Sequence, residues 1–359
     1  MRWQRHARTV QTLVFGALLL APAGVSEKSR LAAPLEQWEM SLEGGRKLTW
    51  ERAFSSEGEV KPNRGFWNKL VDVVVGAPEF HPLIRPYSLV ADSRGRIIVS
   101  DPGASGVHIF DFAEHKYKFI HRGARDQDKD AMLTPQCVAV DAQDRIYVSD
   151  SEAGVIFVFD STGKHLRTIG RLKGGEGYFK RPTGIAVDSA TQRIYVTDTL
   201  RDEIFILDFD GNILQTFGKS GKGDGEFDLP TEIRLDGPNL IVVDAMNFRV
   251  QVFDRSGKFQ FALGKPGSGM LFRPKGVAVD SEGHIYIVDA ERGLVQVFDR
   301  EGELLYYFGA SGTHAGQFQL PSGLFIDPND QVYVADSYNR RIQVFQYTGL
   351  KPAISGGSR

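Results

Sequence analysis

One pattern of fifteen to seventeen residues is written six times along this chain: PYSLVADSRGRIIVSD, PQCVAVDAQDRIYVSD, PTGIAVDSATQRIYVTD, PTEIRLDGPNLIVVD, PKGVAVDSEGHIYIVD and PSGLFIDPNDQVYVAD. Each copy opens on proline, runs through apolar residues to an aspartate, turns, and runs through a second apolar stretch to another aspartate. The opening prolines are Pro86, Pro135, Pro182, Pro230, Pro274 and Pro321, so the spacing is 44 to 49 residues. A period of this length marks a unit that cannot bury its apolar faces alone and must stack on its neighbours.

Each unit holds four strand signals. In the second they are Val138–Val140, Arg145–Ser149, Val155–Phe159 and His165–Ile169, with Asp160-Ser161-Thr162-Gly163 turning between the last two. The same turn recurs as DFDG, DRSG and DREG. β-Branched and aromatic residues crowd the strands, and Gly, Asp and Ser crowd the gaps. Six such units with no helical period predict an all-β chain: a six-bladed β-propeller of four-stranded antiparallel blades. The sixth unit has three strands and then stops at Tyr347-Thr348-Gly349, while Gly45–Phe54 (GRKLTWERAF) resembles the fourth-strand pattern GKHLRTIG. The ring is therefore expected to close on an N-terminal strand.

The ends divide the rest. Residues 1–23 read as a signal peptide: Arg2, Arg5 and Arg8, then the short apolar stretch Val10–Ala21, then the small-residue site Ala21-Pro22-Ala23. The stretch is shorter than the roughly 20 residues a spanning helix needs, so cleavage is expected, with an N-terminal membrane anchor as the alternative. Residues 24–45 read as a linker, 46–348 as the propeller (46–80 the closing strand and a short helix at Phe66–Val74, 81–348 the repeats) and 349–359 as a flexible tail. Trp38, Trp50 and Trp67 lie in the N-terminal extension and the repeats contain none, so that segment is expected to be docked. A single cysteine, Cys137, excludes an intrachain disulfide and a cysteine-rich metal site, and reads as a small buried hydrophobe. Without the three arginines of residues 1–23, 40 basic residues face 45 acidic ones, a net charge of −5 that argues against nucleic acid.

The motifs P-x-G-V-A-V-D and I-Y-V-x-D, with ADSYNRRIQVF at 335–345 and DAMNFRVQVFD at 244–254, resemble the NHL repeat; the resemblance covers roughly residues 82–348. It implies a propeller ring and leaves activity open, because members of this family include scaffolds, RNA binders and a zinc-dependent peptide-amidating lyase.

Bland and functional readings compete at several motifs. The aspartates ending the second strands, Asp101, Asp150, Asp198, Asp244, Asp289 and Asp336, are expected to accept backbone N–H bonds rather than bind metal. The eight histidines form no HxH or HExxH pair, and His108 and His165 fall far from the axis. Gly218–Gly225 lacks the spacing of a phosphate loop. Asp126–Asp130 alternates acids as a calcium loop does, but Ala131 and Cys137 stand where such a loop needs Gly and Glu.

The positions that break the six-fold pattern are the candidate sites. The residue after each repeat proline should face the axis, which sets Tyr87, Gln136, Thr183, Thr231, Lys275 and Ser322 around one mouth. One position further on lie Ser88, Cys137, Gly184, Glu232, Gly276 and Gly323. Tyr87, Gln136, Thr183, Thr231, Glu232, Lys275 and Ser322 are the expected ligand-binding set, since pockets combine such convergent polar groups. In the loop after the second strand, Arg201, Asn247, Arg249, Arg292, Asn339 and Arg341 are the expected partner-binding set, with Asn247 and Asn339 shaping left-handed turns.

The resulting expectation is an exported NHL-type propeller, secreted or periplasmic, with no cofactor. It binds a protein or extracellular ligand, alone or in an envelope complex, as a scaffold or sensor module with no evident catalysis. The alternative is a lyase or lactonase-like hydrolase using calcium or zinc on the axis.

Overall fold

The computed structural model describes residues 38–60, 80–121, 131–264 and 270–349. The expected signal peptide, Trp67, the helix at Phe66–Val74, the acidic run Asp126–Asp130 and the tail beyond Gly349 lie outside the described residues.

Six antiparallel sheets form the blades. Blade 1 is Ser88–Ala91, Ile97–Asp101, Gly106–Asp111 and Lys116–Ile120, and blade 2 is Pro135–Val140, Ile146–Asp150, Val155–Phe159 and His165–Ile169. Blade 3 is Pro182–Asp188, Arg193–Asp198, Glu203–Asp208 and Ile213–Phe217; blade 4 is Pro230–Asp236, Asn239–Asp244, Arg249–Asp254 and Phe259–Leu263. Blade 5 is Pro274–Val279, Ile285–Asp289, Leu294–Phe298 and Leu304–Phe308. Blade 6 begins Leu324–Ile326, Gln331–Asp336 and Arg341–Thr348, and its fourth strand comes from the other end of the chain, Lys47–Phe54. Lys47 pairs with Thr348 and Phe54 with Ile342, closing the ring as expected. A further short strand, Glu39–Ser41, adds outside it and makes this sheet five-stranded.

The energetics of this ring sit between blades. The six apolar clusters among the described residues each draw on two adjacent blades, one cluster per seam: 1–2, 2–3, 3–4, 4–5, 5–6 and 6–1. A blade buries both faces only because it has two neighbours, which is why the ring must close. The middle strands are buried along nearly their whole length, whereas the outermost strand of blade 3 is exposed at four of five positions. The closing strand is anchored as the sequence suggested. Leu48 and Phe54 are buried, Trp50 Nε1 donates to Gln343 Oε1 at 3.0 Å, and the Trp38 ring meets Phe345 edge-on at 5.4 Å.

The six second-strand aspartates are fully buried and hold the chain ahead of each repeat proline. Asp101 accepts from the Ile84 and Arg85 amides, Asp150 from Leu133 and Thr134, Asp198 from Lys180 and Arg181, and Asp289 from Phe272 and Arg273. Asp244 and Asp336 take the Asp228 and Gln319 amides. Each carboxylate thus fixes where the residues flanking its proline enter the axial face. Among the described residues no helix is long and apolar enough to cross a membrane.

Candidate ligand-binding site on the propeller axis

The residues following the repeat prolines meet as expected. Tyr87, Gln136, Thr183, Thr231, Lys275 and Ser322 line one cavity of about 640 Å³ on the axis. Glu232 does not line it. It lies one residue past Thr231 on the same strand, is 3% exposed, and belongs to a layer beneath the mouth.

That layer follows from the glycine pattern. In blades 3, 5 and 6 the second residue after proline is Gly, and a Cβ there would strike the neighbouring first strand: Ile233 N at 2.7 Å from Gly184, Ser322 O at 2.5 Å from Gly276, Tyr87 O at 2.4 Å from Gly323. Blades 1, 2 and 4 carry Ser88, Cys137 and Glu232 instead, and these three touch. Ser88 Oγ lies 3.2 Å from Cys137 Sγ, which donates to Glu232 Oε1 at 3.4 Å. Glu232 pairs with Arg234 Nε at 3.0 Å, two residues along and so on the same strand face. Arg234 Nη2 reaches the Leu89 and Leu324 carbonyls of blades 1 and 6. Cys137 is buried as expected, but as a member of this polar chain. Burial, reinforced by Glu232, pushes its thiol up to about 12, and burial also raises the Glu232 carboxyl, against the pull of Arg234, Cys137 and Lys275.

The hydroxyls of the mouth divide in two. Ser322 Oγ is occupied by the Tyr87 carbonyl and Ser337 Oγ, which ties blade 6 to blade 1, and Thr183 Oγ1 by Thr197 and Thr199 within blade 3. Thr231 Oγ1 is buried with no hydrogen-bond partner. The half-buried Lys275 ammonium lies 5.5 Å from the centre of the Tyr87 ring. Burial and the Arg273 and Arg181 guanidinium groups, opposed by Glu232, push the lysine down to about 8. Burial pushes the Tyr87 phenol up.

Three cavity residues escaped the sequence reading: Arg85, Arg181 and Arg273, all exposed and all immediately before a repeat proline. The signal was available, since the six residues at that position are Arg85, Thr134, Arg181, Leu229, Arg273 and Leu320. Leu229 and Leu320 also line the cavity and sit in left-handed backbone, with φ of 52° and 43°. The exposed side chains of Met246, Phe248, Phe272 and Tyr338 form an apolar wall on the blade 4 to blade 6 side.

Most of the loop residues expected to meet a partner turn their polar groups inward, while Arg292 stays exposed. Arg249 is 8% exposed; its Nε bonds Asp244 at 2.8 Å and its Nη2 the Gly223 and Glu226 carbonyls. Arg341 repeats this with Asp336, His314 O and Gln317 O. Asn247 and Asn339 each donate to an aspartate and to a loop carbonyl, and the left-handed residues are the next ones, Phe248 and Arg340, not the asparagines. Arg201 bonds Tyr178 O and covers the Tyr178 ring, while Arg292 lies over Phe272 at 4.1 Å. The Gly218–Gly225 loop therefore presents carbonyls to Asn247 and Arg249 rather than amides to a phosphate.

His108 lies away from the axis, as expected. His108 sits in the third strand of blade 1, with Nδ1 2.8 Å from the Tyr117 hydroxyl and Nε2 3.5 Å from Asp101. Among the described residues no three His, Cys, Asp or Glu side chains are grouped to hold a metal.

The NHL repeat family model matches residues 273–298 and 318–345, and a six-bladed β-propeller domain model matches 187–247. No curated protein matches the chain. Among solved structures, a streptogramin B lyase aligns with TM-score 0.54 at 16% identity, covering 75% of this chain and 95% of that one. A virginiamycin B lyase from Staphylococcus aureus gives 0.53 at 15%, covering 73% and 95%. An auxiliary nutrient-binding protein from Bacteroides thetaiotaomicron gives 0.55 at 14%, covering 74% and 70%. At these identities the likeness is one of fold.

Proposed function

We propose that this six-bladed β-propeller, which carries NHL repeats, is an exported binding module that takes a small ligand into its axial mouth. The observation that carries this reading is the cavity itself. Its volume lies in the range of ligand sites, and it is lined by Lys275, Arg85 and Arg181, whose side chains make no hydrogen bond or ion pair with the described residues. Donors left without partners are costly in a fold unless something else accepts from them. Export rests on Arg2, Arg5 and Arg8 ahead of a short apolar stretch, and sequencing the N-terminus of the chain recovered from its own cells tests it.

The solved relatives include lyases and a nutrient-binding protein, so fold does not choose between catalysis and binding. The lining chooses. A metal-dependent reaction on the axis would need anionic or imidazole ligands, whereas this mouth holds three arginines and a lysine against Glu291. Cations in that number repel a metal ion, and Glu291, paired with Arg273 at 3.9 Å, is the one carboxylate among the described lining residues. The test is thermal stabilisation of the full chain by a library of small molecules, with Gln136→Trp as the filled-cavity control. Ligands that raise the melting temperature of the wild type and not of the variant support the reading; equal effects on both contradict it.

A further inference from the structure

The basic residues of the mouth are not scattered. Arg85, Arg181 and Arg273 belong to blades 1, 3 and 5, and the same position in blades 2, 4 and 6 is Thr134, Leu229 and Leu320. Alternate blades of a six-membered ring stand a third of a turn apart, so the three arginine positions are spaced evenly around the axis. The carboxylates of Asp101, Asp198 and Asp289 hold the amides of these arginines, which sets their starting points at equal depth. Arg85 and Arg181 make no side-chain hydrogen bond or ion pair with the described residues. Arg273 has only a long pair with Glu291 at 3.9 Å, both partners more than half exposed. Lys275 stands inside this triangle, over Tyr87.

Four cations converging on one concavity of a chain whose net charge is −2 repel one another and focus a positive potential there. Among the described residues only Glu291, in its long pair with Arg273, and the buried Glu232 set negative charge against them. On one side the cavity is walled by Met246, Phe248, Phe272 and Tyr338, and Phe248 and Phe272 also line an adjoining apolar cleft of about 410 Å³.

We propose that the axial mouth binds a small organic oxyanion, its charged head held on the axis by Arg85, Arg181, Arg273 and Lys275 and its apolar body laid against Phe248 and Phe272. The proposal rests on the ligand-binding reading above and adds the ligand's chemical class. Guanidinium groups pair with planar or tetrahedral oxyanions through two parallel N–H···O bonds, and three arranged around an axis match the three terminal oxygens of a phosphate monoester. Bulky apolar side chains beside the charged triangle add a surface that an inorganic ion would not use.

The test is calorimetric titration of the full chain with phenyl phosphate, benzoate, inorganic phosphate and benzyl alcohol. Phenyl phosphate is expected to bind, more tightly than inorganic phosphate, with benzyl alcohol undetected. Arg85→Gln, Arg181→Gln and Arg273→Gln are each expected to weaken it about tenfold or more, the effect of a lost charge-assisted bond. Lys116→Gln, on an outer strand, is expected to change nothing. Phe272→Ala is expected to bring phenyl phosphate down to the affinity of inorganic phosphate. Benzoate binding as tightly as phenyl phosphate assigns the head to a carboxylate and supports the same site. Benzyl alcohol binding as tightly as the anions overturns the oxyanion proposal and leaves a ligand-binding mouth standing. Failure of both anions to bind, or binding indifferent to all three arginine substitutions in folded variants, overturns it outright.

Discussion

Lys275, in the first strand of blade 5, points its ammonium at the ring of Tyr87 from blade 1, with 5.5 Å between the nitrogen and the ring centre. Blade 6 lies between them, so the contact spans the mouth of the axis. The groups facing the lysine are Tyr87, Arg181, Arg273 and Glu232, and burial with the two arginines outweighs the carboxylate.

This pair yields a pH dependence with a definite sign. A base whose folded value is pushed down to about 8 from 10.5 binds fewer protons folded than unfolded between those values, so the chain gains stability as pH rises through that window. At pH 7 the charged lysine costs stability. Lys275→Met is therefore expected to raise the melting temperature at pH 7 by roughly 2 °C or more, with the gain shrinking as pH approaches the ordinary lysine value. Phenyl phosphate affinity is expected to fall between pH 7 and pH 9 in the wild type and to stay flatter in the variant. Calorimetry across that range checks both, and a rise in affinity with pH would contradict the account.

Ring closure depends on a strand from the far end of the sequence. Leu48 is fully buried in the seam between blades 5 and 6, so Leu48→Ala is expected to cost about 3 kcal/mol. Leu214→Ala, in the outermost strand of blade 3 where that side chain is 55% exposed, is expected to cost under about 1 kcal/mol. Urea unfolding of the two variants measures the difference, and equal costs would mean that the closing strand contributes little.

The loop arginines are predicted to matter for folding. Arg249 and Arg341 each satisfy a buried aspartate and two loop carbonyls, so Arg249→Ala and Arg341→Ala are each expected to destabilise by about 2 kcal/mol or more. Melting curves settle it: unchanged midpoints would return these residues to the surface role that their charge suggested.

Cys137 is predicted to be inert. It is fully buried, bonded to Glu232, and held well above the usual thiol range. A thiol reagent at pH 8 should label the chain only after denaturation; labelling of the native protein at the rate of a free thiol would show that the axial layer opens.

How far these features were legible follows the range of the interactions. Proline-to-aspartate repeats, Asp-to-Gly turns and the missing sixth outer strand are local patterns, and they led to the blades and to the Lys47–Phe54 closure. The mouth was legible where strand alternation alone decides direction, at Tyr87, Gln136, Thr231 and Lys275. Glu232 obeys the same alternation, but Cys137 and Arg234 draw it into the layer below, and only the ring brings those three together. Arg249 and Arg341 read as surface charge because their partners, the carbonyls of Gly223 and Gln317, belong to the loop leading into the same blade. Arg85, Arg181 and Arg273 were overlooked because proline marks the start of the unit, and the residue before it acquires meaning only when three alternate blades are seen to share it.

The claim that the axial mouth is a ligand site is tested most directly by native mass spectrometry of the full chain, after equilibration with a small-molecule extract of the cells that make it. The account predicts a discrete adduct on the wild type that is absent from Thr231→Trp and Gln136→Trp variants with unchanged melting temperatures. No adduct on the wild type, or the same adduct on all three proteins, would contradict it.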